Sequence, residues 1–145
     1  MTDLVEILQA HCTTLNWEFS YGNRANQNLI DNEKASSTIY LLLDPLSRLI
    51  ASSEFGGDGA TEFSSSFMLL VQSDLDNVVY NQNGNDKSEG KYELNIKPLL
   101  THLERLKSLI DCSDYEIQTW SVVDAIDVLD ANTDGLVVTF KIKKL

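Results

Sequence analysis

Residues 91–145 read KYELNIKPLLTHLERLKSLIDCSDYEIQTWSVVDAIDVLDANTDGLVVTFKIKKL, and the change of period inside this stretch decides the fold. Pro98 stands where the first turn of a helix tolerates a residue without an N–H, and Leu99, Leu100, Leu103, Leu106 and Ile110 then recur at helical spacing. A helix over residues 98–110 presents one apolar stripe, which needs a sheet to cover. Residues 115–123 and 136–143 are rich in aromatic and β-branched side chains, and the second run alternates Val138, Phe140 and Ile142 against Val137, Thr139 and Lys141. The spacing predicts a closing hairpin with Val138, Phe140 and Ile142 turned inward.

Working back from there, residues 81–91 (NQNGNDKSEGK) are the most polar part of the chain and contain the turn pair Asn83-Gly84. If residues 77–80 and 92–96 extend on either side, the segment around residues 77–96 forms a protruding arm. Upstream, residues 38–43 (TIYLLL) form a near-continuous apolar run and residues 63–72 (FSSSFMLLVQ) a longer one, so residues 38–43 and 67–72 are expected to pair antiparallel. Between them lies Gly56, Gly57, Asp58, Gly59, which reads as a flexible turn; a phosphate cradle would need a strand, loop and helix around it and usually a lysine.

At the N-terminus, Asp3 and Glu6 have the spacing of a reciprocal capping box, and Leu4, Ile7, Leu8, His11, Cys12 and Leu15 line one face of a helix ending near Asn16. Residues 17–21 (WEFSY) follow as a short strand that Gly22 breaks, and residues 23–36 read as a polar surface loop. The expectation is one α+β domain over residues 1–145. It has a mainly antiparallel sheet, two helices packed on it and a C-terminal hairpin.

Composition limits the function. A chain of 145 residues suits one domain and buries about two-thirds of its unfolded surface. No apolar run is long enough to cross a bilayer, and the acidic start MTDLVEILQ lacks the lysines of a secretory leader, so the expectation is a protein without a membrane partner that stays inside a cell. Cys12 and Cys112 are expected as buried reduced thiols, and His11 and His102 as satisfied or solvent-facing residues of helices. The net charge of −11 argues against gripping nucleic acid through its phosphates. No nucleophile elbow or histidine partner motif is present in the sequence, so no catalytic residue, enzymatic activity or cofactor is expected.

One motif invites a chemical reading. Asp130, Asn132, Asp134 and Gly135 spell the first half of a calcium-binding EF-hand loop, yet Lys141 stands where the bidentate glutamate belongs and a strand pattern replaces the exiting helix. The same Asp134-Gly135 pair between two strand patterns reads as a hairpin turn, which is the preferred expectation.

The order of elements, with an N-terminal helix, an interrupted hairpin, a polar arm, a helix after Lys97-Pro98 and a terminal hairpin in YEIQTWSVVDAIDVLDANTDGLVVTFKI, resembles the neck, tail-completion and tail-terminator proteins of tailed bacteriophages. The resemblance implies a structural virion protein, assembled in the cytoplasm of the bacterial host. It would form a homo-oligomeric ring in the head-to-tail connector, in contact with portal or neck proteins and tail proteins. DNA would pass through an acidic channel without specific binding. No ligand motif is transferred by the resemblance. Protrusion alone nominates Asn83, Gly84, Lys87 and Lys91 of the arm, with Gly56 and Gly57 of the glycine turn, as subunit contacts. The rival expectation is an intracellular monomeric or dimeric adaptor or regulatory binding domain of the same fold, with the Asp130, Asn132 and Asp134 loop as a lesser calcium-binding variant.

Overall fold

A computed structural model describes residues 3–22, 38–50, 61–72, 95–112, 114–128 and 133–144. In chain order the elements are α1 (Leu4–Leu15), β1 (Glu18–Tyr21), β2 (Tyr40–Leu43), β3 (Ser47–Ile50), β4 (Thr61–Gln72), α2 (Lys97–Asp111), β5 (Tyr115–Val128) and β6 (Thr133–Lys144). The strands form one six-stranded sheet in the order β1-β2-β4-β6-β5, with β3 beside β4 on the same flank as β2. The fold is α+β, and every strand pair except β1 with β2 is antiparallel.

The helices form where the apolar spacing put them. α1 buries Leu4, Leu8 and Cys12, and closes with Asn16 in the left-handed conformation, φ 62° and ψ 42°. There the amide of Trp17 donates to the Cys12 carbonyl at 2.8 Å and that of Asn16 to Thr13 at 3.2 Å, a Schellman ending that drops the Trp17 ring into the core. Asp3 takes the N-cap position, but its carboxylate caps nothing. The expected capping box with Glu6 is absent because that carboxylate accepts a 2.6 Å hydrogen bond from the Arg48 guanidinium, tying the helix start to β3. α2 begins with Pro98 in its first turn and buries Leu99, Leu103, Leu106 and Ile110. Asn95 and Ile96 are already wound into the helical approach rather than extended as the end of an arm strand. Residues 77–94 of the arm lie outside the described residues.

The expected pairing of residues 38–43 with 67–72 is present, with Leu43 opposite Phe67 and Tyr40 opposite Leu70. β3 is an addition, since SRLI lacks strand alternation in the sequence. Leu43 faces Phe67 and Ser47 faces Ser64, so Asp44, Pro45 and Leu46 oppose only Ser65 and Ser66, a bulge at which β2 gives way to β3. Pro45 cannot donate to the ladder, and the strands are joined there instead by serine hydroxyls of β4 that donate across the bulge. Ser65 Oγ donates to the Asp44 and Pro45 carbonyls at 3.0 Å, and Ser66 Oγ to the Asp44 carboxylate at 2.8 Å.

Both helices cover one face of the sheet. Leu41, Leu43, Phe63, Phe67, Leu69, Leu136, Val138, Phe140 and Ile142 point to that side and are all buried. The inward set Val138, Phe140 and Ile142 is as the alternation predicts, and Phe67 packs against both Phe140 and Trp120 at centroid distances of 5.9 and 5.7 Å. The other face buries a smaller set, Leu42, Met68 and Leu70, with Tyr40 and Val137 against it.

The expected Asp134-Gly135 turn is instead part of β6, with Asp134 opposite Val71 and Gly135 opposite Leu70. Glycine is needed there because strands approach closely: a Cβ at residue 135 would run into the Leu69 carbonyl and come within 2.7 Å of Leu70 Cδ2. Gly135→Ala is expected to destabilise the fold by about 2 kcal/mol, read as a lowered urea midpoint. Phe140→Asp puts a carboxylate among buried rings and is expected to cost about 4 kcal/mol or more, abolishing cooperative unfolding.

Candidate assembly surface

The residues that reach solvent with large apolar side chains are confined to a few positions. Among the described residues these are Tyr21 (43% exposed), Leu49 (63%), Ile50 (69%), Val122 (36%) and Val123 (61%). All five lie on β1, β3 or β5, and none on a helix or on the central strands β4 and β6. β1 and β5 are the outermost strands of the described sheet, and β3 flanks β4 one strand further in than β1.

Register connects the two edges. Tyr21 pairs with Leu43, Leu43 with Phe67, Phe67 with Val138 and Val138 with Val122, so Tyr21 and Val122 end the same row on the helix-covered side. The next row runs Ser20, Leu42, Met68, Val137, Val123 on the opposite side. The Tyr21 ring is fixed in place because its hydroxyl accepts a 3.1 Å hydrogen bond from the Leu46 amide. On β5, irregularities between Ile117 and Thr119 and between Ala125 and Val128 bracket a regular stretch, TWSVVDA, whose one charge is Asp124.

Several polar groups elsewhere serve the fold itself. Asp134, fully buried, accepts a 2.8 Å hydrogen bond from Asn95 Nδ2, so the third candidate calcium ligand serves to join β6 to the start of α2. Asp130 and Asn132 lie outside the described residues, as do the nominated contacts Asn83, Gly84, Lys87, Lys91, Gly56 and Gly57. Among the described residues no group of three or more His, Cys, Asp or Glu side chains is placed to hold a metal. No helix there is long and apolar enough to cross a membrane. On the face away from the helices, Lys141 Nζ lies 3.4 Å from Glu62.

Cys12 is buried as expected, and burial pushes its thiol up to about 12. Cys112 is exposed, contrary to expectation, because it caps α2 one residue beyond the last turn and outside the apolar stripe. The histidines also depart from expectation. His11 Nε2 and His102 Nδ1 are buried without a hydrogen-bond partner, as is Trp120 Nε1. His102 packs edge-on against Trp17, ring centroids 6.2 Å apart. Desolvation lowers the pKa of both histidines, with the Arg105 charge adding to the effect at His102. No sequence pattern marks these atoms, since their burial depends on how the helices seat on the sheet.

Scanned against profiles of known protein families the chain matches none, and a search of curated proteins finds no match.

The histidines give a pH prediction. A depressed folded pKa means that, as pH falls through ~6.5, the unfolded chain takes up protons the folded chain refuses, so stability is lost toward acid. His102→Phe keeps a ring against Trp17 and removes one titration. Urea titrations of both proteins between neutral and mildly acidic pH are expected to show the variant gaining on the wild type as pH falls.

Proposed function

We propose that this chain is a structural subunit that assembles with copies of itself into a ring, and that the ring belongs to the head-to-tail connector of a tailed bacteriophage. The observation that carries the reading is the placement of the exposed apolar side chains on the flanking strands of the sheet. Exposed strand edges with aliphatic and aromatic side chains are templates for pairing with another chain, and a repeated contact between two different edges closes a ring when its rotation divides the circle.

The element order supports the phage assignment through its resemblance to neck and tail-terminator proteins. The charge supports it as well. A subunit with 22 acidic and 11 basic residues gives a wall that repels the phosphate backbone, so genomic DNA slides past it without being held. In this reading the protein resides in the virion at the junction of neck and tail, against portal or neck proteins on one side and tail proteins on the other. It performs no catalysis.

Native mass at several protein concentrations, followed by negative-stain imaging, is the test. A closed ring of uniform size is expected, together with no retardation of duplex DNA at ~0.15 M salt. A protein that is monomeric at every concentration, alone and with a purified portal ring, would sink the reading in favour of an adaptor domain.

A further inference from the structure

The sheet itself says how its two edges relate. Going from β1 to β5 across the described sheet, one junction is parallel and the remaining three are antiparallel, so the outermost of the described strands run in opposite directions. If copies repeat around an axis that runs along the strands, β5 of one copy therefore meets β1 of the next in antiparallel orientation, with the helices of both on the same side. Antiparallel pairing needs no crossover and lets one sheet continue into the next.

We infer that subunits join by this strand-to-strand contact: residues 122–125 of β5 pair with Glu18–Tyr21 of β1 in a second copy, in the register that continues the existing rows. The contact deepens the ring reading above and rests on it. In this register Val122 lies beside Tyr21 of the neighbour, a β-branched residue against an aromatic ring, and Val123 lies beside Ser20. The two most exposed side chains at the level of these rows are thereby covered from both edges at once. A two-fold contact of β5 with itself would cover Val122 and Val123 and leave Tyr21 in water.

Charge is compatible with the same register. A chain of net charge −11 repels its copies, so a contact must avoid placing acid against acid. Asp124 comes beside Phe19 and Glu18 beside Ala125, and successive residues of a strand point to opposite faces, so the two carboxylates lie on different sides of the sheet. Between residues 115 and 128 β5 has no lysine and no proline, and its two irregularities lie outside the regular stretch that the contact uses.

Crosslinking reads the register directly. Within one subunit Ser20 and Val123 are four strand spacings apart, about 19 Å, too far for a disulfide. The full chain carrying Ser20→Cys and Val123→Cys, with Cys112→Ser to remove the exposed thiol, is oxidised mildly at assembling concentration and run on a denaturing gel. The expected result is a ladder of covalent oligomers from the double variant and monomer from each single one. A double variant that stays monomeric, or a dimer from Val123→Cys alone, would overturn the contact. Val123→Lys in the otherwise native chain gives a second readout. It is expected to reduce the native mass to that of one subunit while circular dichroism stays unchanged and the thermal midpoint becomes independent of protein concentration, and an unaltered native mass would likewise overturn the contact. A ladder without closed particles in the images would keep this contact and discard the ring. Closed particles from a double variant that yields no ladder would keep the ring and discard this contact.

Discussion

β4 is the strand on which the other elements depend. Along one side it pairs with β6 from Glu62 to Gln72, and along the other it must carry two successive partners, β2 at residues 67–70 and β3 at residues 61–64. The change of partner is possible because the bulge at Asp44, Pro45 and Leu46 is held by Ser65 and Ser66 through hydroxyl-to-carbonyl and hydroxyl-to-carboxylate bonds. Without the Ser65 hydroxyl the part-buried Asp44 carbonyl would lose a hydrogen bond, at a cost on the order of 1 kcal/mol. Ser65 and Ser66, polar residues between Phe63 and Phe67, are thus the chemistry of the bulge.

The bulge also shapes the flank. Because β3 pairs with β4 directly while β1 is added outside β2, the flank is stepped, and Leu49 and Ile50 stand at the recessed half. Arg48 beside them reaches back to Asp3, so the start of α1 is fastened to the strand that the bulge created. That ion pair is largely exposed, and exposed pairs contribute at most about 1 kcal/mol. Its consequence is placement: the one charged group of β3 is engaged within its own subunit and the apolar pair is what the strand offers to its surroundings.

Much of this architecture was legible in the residues. Both helical stripes, the inward alternation of Val138, Phe140 and Ile142, and the antiparallel pairing of residues 38–43 with 67–72 follow from local period and composition. The departures have a common physical origin in contacts distant along the chain. β1 lies parallel to β2 because the connection over residues 22–39 is long enough for the crossover, and no local pattern announces direction. Asp134-Gly135 resembles a turn pair, yet the glycine answers to the Leu69 carbonyl of another strand and the aspartate to Asn95. Asp3 has the spacing of a capping residue and is drawn away by Arg48, which is far off in sequence. The row joining Tyr21 to Val122 could not be read at all without the strand order.

The acidity of the chain and the position of its apolar edges bear on one another. Like charges on two approaching copies repel within about 8 Å at physiological ionic strength and are screened beyond it, so only surface with few charges can come into contact. β5 supplies such a surface between Thr119 and Val123, which carries no charge, and β1 supplies one beyond Glu18. Net charge therefore narrows where the proposed contact can lie: a strand edge with few charges meets the condition, and these two stretches do.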